Sequence, residues 1–142
     1  MSATGEAGTT LVETLAVVAI MALTALIAFP RLERGFLRLS QRQTLSQVAQ
    51  QLRQARAEAR RRDDPVAFAV AADGRSYAAG DGARLTAPTG ISLTLASPDG
   101  RRIVFYGDGS SPGGQVLVHA GAGAAPVSVA AGSGVVRLET AS

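Results

Sequence analysis

Few residues in this 142-residue chain have the type and spacing to do covalent chemistry. A nucleophilic triad would have to use His119, the one histidine, with Ser110 and Asp108. Such a triad needs the imidazole poised to take the serine proton and the carboxylate poised to hold the imidazole. His119 falls in a run of alternating apolar residues, and Ser110 lacks the Gly-x-Ser-x-Gly elbow that raises a nucleophile above a sheet. A histidine on a surface or edge strand is the better reading. The chain has no cysteine, which excludes disulfides, zinc–thiolate sites and thiol nucleophiles. All 14 basic residues are arginine, so a Walker A loop and Schiff-base chemistry, which need a lysine amine, are excluded as well. Carboxylates are scattered, with no paired or metal-spaced cluster beyond Asp63-Asp64. The expectation is no catalytic site, no metal and no cofactor.

What remains is one carboxylate in an unusual place. From Thr9 to Phe29 the chain is apolar or small except for Glu13. As a helix these positions span about 32 Å, enough to cross the hydrocarbon core of a bilayer. A charge at the centre of such a span costs roughly 2.5–3.5 kcal/mol, less near its ends, so it usually has a partner. Residues 1–8, small and polar, read as a leader. An ordinary secretory signal has a basic region before the apolar core and a cleavage site after it. This leader has no arginine or lysine. On the residues alone, an uncleaved anchor, a signal cut near Ala28 and a more specialised export signal all stay open.

The arginines are the second feature. Nine of the 14 fall between Arg31 and Arg62, so the net charge of +3 and the pI of about 10.5 reflect a local concentration. The segment is rich in helix formers, with a weak point at Gly35. Leu45, Val48, Leu52, Ala55 and Ala59 recur at three- and four-residue spacing and predict an apolar stripe that lies on a sheet. Leu32, Phe36 and Leu39 form a separate stripe. Proline disfavours a helical residue before it, so the helix is expected to stop ahead of Pro65. Arg31, Arg34, Arg38, Arg42, Arg53, Arg56 and Arg60 fall close to one line on a helical wheel. Three readings fit: a solvated face, a row split between lipid phosphates (Arg31, Arg34, Arg38) and a partner subunit (Arg53, Arg56, Arg60), or phosphate binding along a nucleic acid.

After Val66 the periodicity changes to two. Val66-Phe68-Val70, Ile91-Leu93-Leu95, Ile103-Phe105, Val116-Val118 and Val127-Val129 alternate with smaller or more polar neighbours. Asp-Gly pairs at 73–74, 81–82, 99–100 and 108–109 favour hairpin turns. Six to eight short antiparallel strands in two packed sheets are expected. The fold class is therefore α+β: a long N-terminal helix, transmembrane in its first half, followed by an antiparallel β-sandwich-like domain.

The motifs carry two resemblances. Gly-Thr-Thr-Leu-Val-Glu at 8–13, an unbroken apolar helix and Pro30 at its end resemble the N-terminal signal of type IV pilins and type II secretion pseudopilins. The resemblance implies cleavage by a prepilin peptidase between Gly8 and Thr9 and N-methylation of Thr9. It also implies that Glu13 sets assembly register by pairing with a neighbour's N-terminal amine, and that Pro30 kinks the helix. Thr9 stands where the family most often has phenylalanine. The segment from Ile103 through Asp108-Gly109-Ser110-Ser111-Pro112-Gly113-Gly114 to Val116, with the closing Gly132-Ser133-Gly134-Val135-Val136-Arg137-Leu138, resembles the C-terminal module of GspH-type minor pseudopilins and their FimT relatives.

Together these imply a pilin-like organisation: leader 1–8, transmembrane helix 9–29, amphipathic continuation 30–64 and periplasmic β-domain 65–142. The implied role is a minor pseudopilin near the tip of a type II secretion pseudopilus, single-pass in the inner membrane. Its partners would be other major and minor pseudopilins, the prepilin peptidase and secreted protein substrates. The arginines after the span would by themselves place the C-terminal side in the cytoplasm, but large domains can translocate despite flanking charge. The alternative is a FimT-like minor pilin that binds DNA for uptake, for which the domain offers Arg101, Arg102 and Arg137.

Overall fold

The computed structural model describes residues 5–139, with side chains from Thr10 onward. Residues 1–4 of the leader, and the side chains of residues 5–9, lie outside the described residues. A 58-residue helix, α1 (Gly5–Arg62), continues through Pro30. The chain forms two compact units, residues 1–36 and residues 37–142, and α1 contributes to both.

In the first unit every described side chain is exposed, including Leu15, Ile20, Leu23, Leu26 and Phe29. The helix is long and apolar enough to cross a membrane. Two of its hydroxyls are satisfied internally: Thr14 Oγ1 donates to the carbonyl of Thr10 and Thr24 Oγ1 to that of Ile20, each at 2.7 Å. In lipid no water would take those protons, so back-bonding to the preceding turn lets hydroxyls sit in an apolar span.

In the second unit the rest of α1 is followed by eight strands: β1 (Val66–Val70), β2 (Ser76–Ala79), β3 (Leu85–Thr86), β4 (Ile91–Ala96), β5 (Arg102–Phe105), β6 (Gly114–Ala120), β7 (Gly123–Val129) and β8 (Val136–Leu138). They form two four-stranded antiparallel sheets, in the orders β3-β2-β1-β5 and β4-β6-β7-β8. The expected helix stripe is the centre of the core. Val48, Leu52 and Ala59 have no exposed surface, and neither do Phe68, Ile103 and Phe105 from the first sheet or Val116, Val118 and Val127 from the second. Full burial of one such aliphatic side chain contributes roughly 1.5–3 kcal/mol. Phe68 and Tyr77 add a tilted ring pair with centroids 5.9 Å apart.

Polar side chains join the helix to the sheets. Gln41 Nε2 donates to the carbonyl of Val118 at 2.8 Å, and the Tyr77 hydroxyl donates to Gln47 Oε1 at 3.2 Å. Burial pushes the Tyr77 phenol above its usual range. The helix stops as expected: Asp63 turns to a φ of 54°, and the Asp64 amide reaches back to the carbonyl of Ala59 at 3.3 Å. That is a Schellman closure with aspartate in the left-handed position.

The Asp-Gly expectation needs correction. The pairs at 73–74 and 81–82 close the β1–β2 and β2–β3 hairpins. Those at 99–100 and 108–109 instead carry the chain from one sheet to the other, between β4 and β5 and between β5 and β6. The β6–β7 hairpin turns on Gly121-Ala122 with no Asp-Gly pair at all. A dipeptide sets local backbone angles, while the choice of strand partner is made by the core that both sheets share.

Candidate functional site

Arg56 collects the glycine-rich segments that stood out in the sequence. It lies on α1 beside the buried stripe and is half-buried itself. Its Nε donates to the carbonyl of Gly109 at 3.0 Å and its Nη2 to the carbonyl of Ser133 at 2.9 Å. Gly109 belongs to the β5–β6 connection between the sheets and Ser133 to the turn between β7 and β8. A single guanidinium thus ties two distant loops to the helix, and its fixed fork of donors suits two separately placed acceptors.

The loops also hold each other. The Gly132 amide donates to the carbonyl of Ser111 at 2.8 Å, and buried Ser111 Oγ accepts from the Gly113 amide at 3.1 Å. Asp108 Oδ1 accepts from the Ser110 amide at 2.8 Å, and hydrogen bonds from Ser110 hold the Asp108 carboxyl below its ordinary range.

Glycine is required at two of these positions. Gly109 has a φ of 85°, and a Cβ there would stand 2.8 Å from Arg60 Cδ. Gly134 has a φ of 65°, and a Cβ there would collide with the carbonyl oxygen of Gly109 and stand 3.2 Å from Arg56 Nε. At Gly134 the loops approach too closely for a side chain, and at both positions the positive φ is one that side chains resist.

The arginines of α1 divide by partner. Arg61 pairs with Glu58 through Nε at 2.9 Å and Nη2 at 2.5 Å, Arg62 shares the same carboxylate, and Arg62 also lies 3.8 Å from Asp81. The Arg61 hydrogen bond, reinforced by both charges, holds the Glu58 carboxyl below its usual range. These groups line a cleft of about 740 Å³ with Gln51, Gln54 and the β2–β3 turn. Arg53 and Arg60 are exposed and pair with no described residue. They flank a smaller groove of about 260 Å³ with Arg56, Ala57, Val135 and Val136.

Of the other predicted residues, Gly8 and Thr9 lie on the α1 backbone, and Pro30 sits inside the helix. Glu13 is exposed and makes no hydrogen bond or ion pair with a described residue. Arg101 is in the β4–β5 turn, Arg102 on β5 of the first sheet and Arg137 on β8 of the second. Arg102 Nε is bonded to Asp99 Oδ2 at 2.8 Å. His119 Nε2 is 3.0 Å from Thr94 Oγ1 across the β4–β6 pair, while Asp108 and Ser110 are bonded to each other in the β5–β6 loop. Sequence reasoning missed the helix–sheet role of Gln41 and Gln47. The available signal was the period itself, since Gln41 precedes Leu45 and Val48 on the same face.

A helix packed into the core of two antiparallel sheets, continued from an apolar helix, is the pilin fold. Two crystal structures of the type IV minor pilin FimU from Pseudomonas aeruginosa (strain PAO1) share it. One matches with a TM-score of 0.57 at 15% identity, over 70% of this chain and 92% of FimU. The other matches with a TM-score of 0.55 at 16% identity, over 76% of this chain and 91% of FimU. No curated protein matches the chain in sequence. The family model of the type II transport protein GspH matches residues 44–134, from the buried part of α1 to the turn held by Arg56, and the chain belongs to that family. It is a family of structural, pilin-like proteins, and the exposed apolar helix fits its membrane anchor.

Proposed function

We propose that this chain is a minor pseudopilin of a type II secretion system, assembling near the tip of a pseudopilus that exports folded proteins. The observation that carries the reading is Glu13, an exposed carboxylate with no partner among the described residues, set in the apolar first part of α1, whose described side chains are all exposed. A carboxylate in lipid calls for a counter-charge. Cleavage by prepilin peptidase after Gly8 would supply one on a neighbouring subunit, the new amine of Thr9, methylated or not. Pairing the two neutralises both charges and fixes the axial offset between helices. The anchor then lies in the inner membrane, with the β-domain in the periplasm facing other pseudopilins and secreted substrates. Pro30 at the end of the span is the place where the helix would bend.

The DNA-uptake alternative would use Arg101, Arg102 and Arg137 as phosphate contacts. Their distribution over two sheets, and the pairing of Arg102 with Asp99, weigh toward the secretion reading.

Intact mass and N-terminal sequence of the protein from native membranes test the proposal. The expected mature chain begins at Thr9, and Glu13→Val is processed normally yet fails to enter filaments. A chain that begins at Met1, one cut after Ala28, or normal incorporation of the Glu13 variant would overturn it.

A further inference from the structure

The groove flanked by Arg53 and Arg60 has a composition that neither the packing of the domain nor the pairing of Glu13 uses. Three arginines, at 53, 56 and 60, line it without a carboxylate among them, and its remaining lining is Ala57, Val135 and Val136. On another face of the same stretch of helix the opposite arrangement holds, where Glu58 and Asp81 neutralise Arg61 and Arg62. The same domain also pairs Arg102 with Asp99. Arg53 and Arg60, like most arginines of the chain, have no partner among the described residues, but here two such charges share one groove with Arg56. Arg56 is held in place by the carbonyls of Gly109 and Ser133, which hydrogen-bond its guanidinium without neutralising its charge. The cationic wall is thus braced at its centre by the fold, with free charge on both sides. Its floor is apolar: Val135 is 38% exposed and Val136 9%.

We propose that this groove docks an acidic segment of a neighbouring subunit, a stretch of chain that alternates carboxylates with aliphatic side chains. The proposal rests on the assembly reading above and names the chemistry of one of its contacts. Carboxylates would meet Arg53 and Arg60 in charge-assisted hydrogen bonds, and an aliphatic side chain would cover Val135. Nucleic acid fits less well. No aromatic side chain lines the groove to stack a base, and a hydrated sugar–phosphate chain gains nothing from a valine floor. Complementary charge of this kind governs choice of partner and rate of encounter.

The test uses the full-length protein in detergent micelles and two fluorescent probes, the peptide Glu-Val-Glu-Glu-Val-Glu and a short duplex DNA, read by anisotropy. The peptide is expected to bind, to weaken as salt is raised, and to lose affinity by about tenfold or more in Arg53→Glu/Arg60→Glu. Arg101→Glu/Arg102→Glu should bind it like the parent. Neither Arg53 nor Arg60 holds the fold together, so the melting temperature should stay the same. Should the charge reversal melt early all the same, Arg53→Gln/Arg60→Gln replaces it, with the same expected loss in smaller measure. Absent peptide binding, or equal binding by the parent and the groove variants, would overturn the inference. So would duplex DNA that displaces the peptide and loses its own affinity with the same substitutions. Processing at Thr9 and filament entry are measured on the same variants. Loss of the groove contact with normal processing is expected, whereas a chain never processed at Thr9 would sink the assembly reading on separate grounds.

Discussion

Leu23 and Leu52 sit on one helix, yet Leu23 is 61% exposed and Leu52 is completely buried. The same contrast holds along both halves. Leu11, Leu15, Ile20, Leu26 and Phe29 keep more than half of their surface exposed, while Val48, Ala49, Leu52, Ala55 and Ala59 keep almost none. A water-exposed apolar surface of the first kind would mark a binding site or an aggregation hazard. In lipid it is solvated. The second half instead alternates a narrow apolar stripe with arginine and glutamine, because it has water on one side and two sheets on the other. One continuous helix has therefore been written for two solvents, and the change of pattern after Pro30 shows where each is expected.

That contrast can be broken by substitution. Leu52→Ala should destabilise the β-domain by about 2–5 kcal/mol, seen as a lower denaturation midpoint of the detergent-solubilised protein, whereas Leu23→Ala should leave that midpoint in place. Equal shifts from the two would mean that the first half also packs in the folded unit. Gly134→Ala comes next, at about 1–3 kcal/mol, because the new methyl meets the Gly109 carbonyl at a backbone angle alanine resists. An unchanged melting temperature would show that the loops are free to separate. Arg56→Ala should cost about 1–3 kcal/mol by releasing two backbone carbonyls, and Arg56→Lys should recover only part of it, since an ammonium lacks the fork that reaches both. Full recovery by lysine would reduce the site to a point charge.

The smallest effect is in acid. Glu58 and Asp108 are both held below their ordinary values, 4.5 and 3.8, in the folded state. A depressed carboxylate stabilises the fold fully above its unfolded pKa, and the contribution is lost as pH falls through the lower, folded value. The melting temperature should therefore decline slightly below about pH 4, and Glu58→Gln should flatten part of that decline. Asp108 is exposed and Glu58 is partly so, and solvent screening keeps the change small. A variant with the full parental acid slope would remove Glu58 from the account.

Much of the architecture was legible because periodicity reports local environment directly. The stripe Val48-Leu52-Ala55-Ala59 and the strand runs at Phe68, Leu93, Ile103, Val116 and Val127 are buried as their spacing predicts. The short strands were less legible. β3 has two residues and β8 three, too few to show a period, and β2 is signalled by little more than Tyr77. The arginines at 53, 56 and 60 looked equivalent on a wheel. Only one of them meets carbonyls, and those belong to loops 53 and 77 residues away in sequence.

Local sequence pattern is thus enough to specify the two-solvent helix, its stop before Pro65 and the antiparallel character of the strands beyond it. Each of these depends on residues within a few turns or a single strand, where spacing and backbone preference act without help. The closed core settles which strands pair, which Asp-Gly turns change sheet, and that Arg56 braces two glycine turns while Arg53 and Arg60 meet no partner among the described residues. Those outcomes depend on atoms brought together from distant parts of the chain, and their partners exist only once the core has closed.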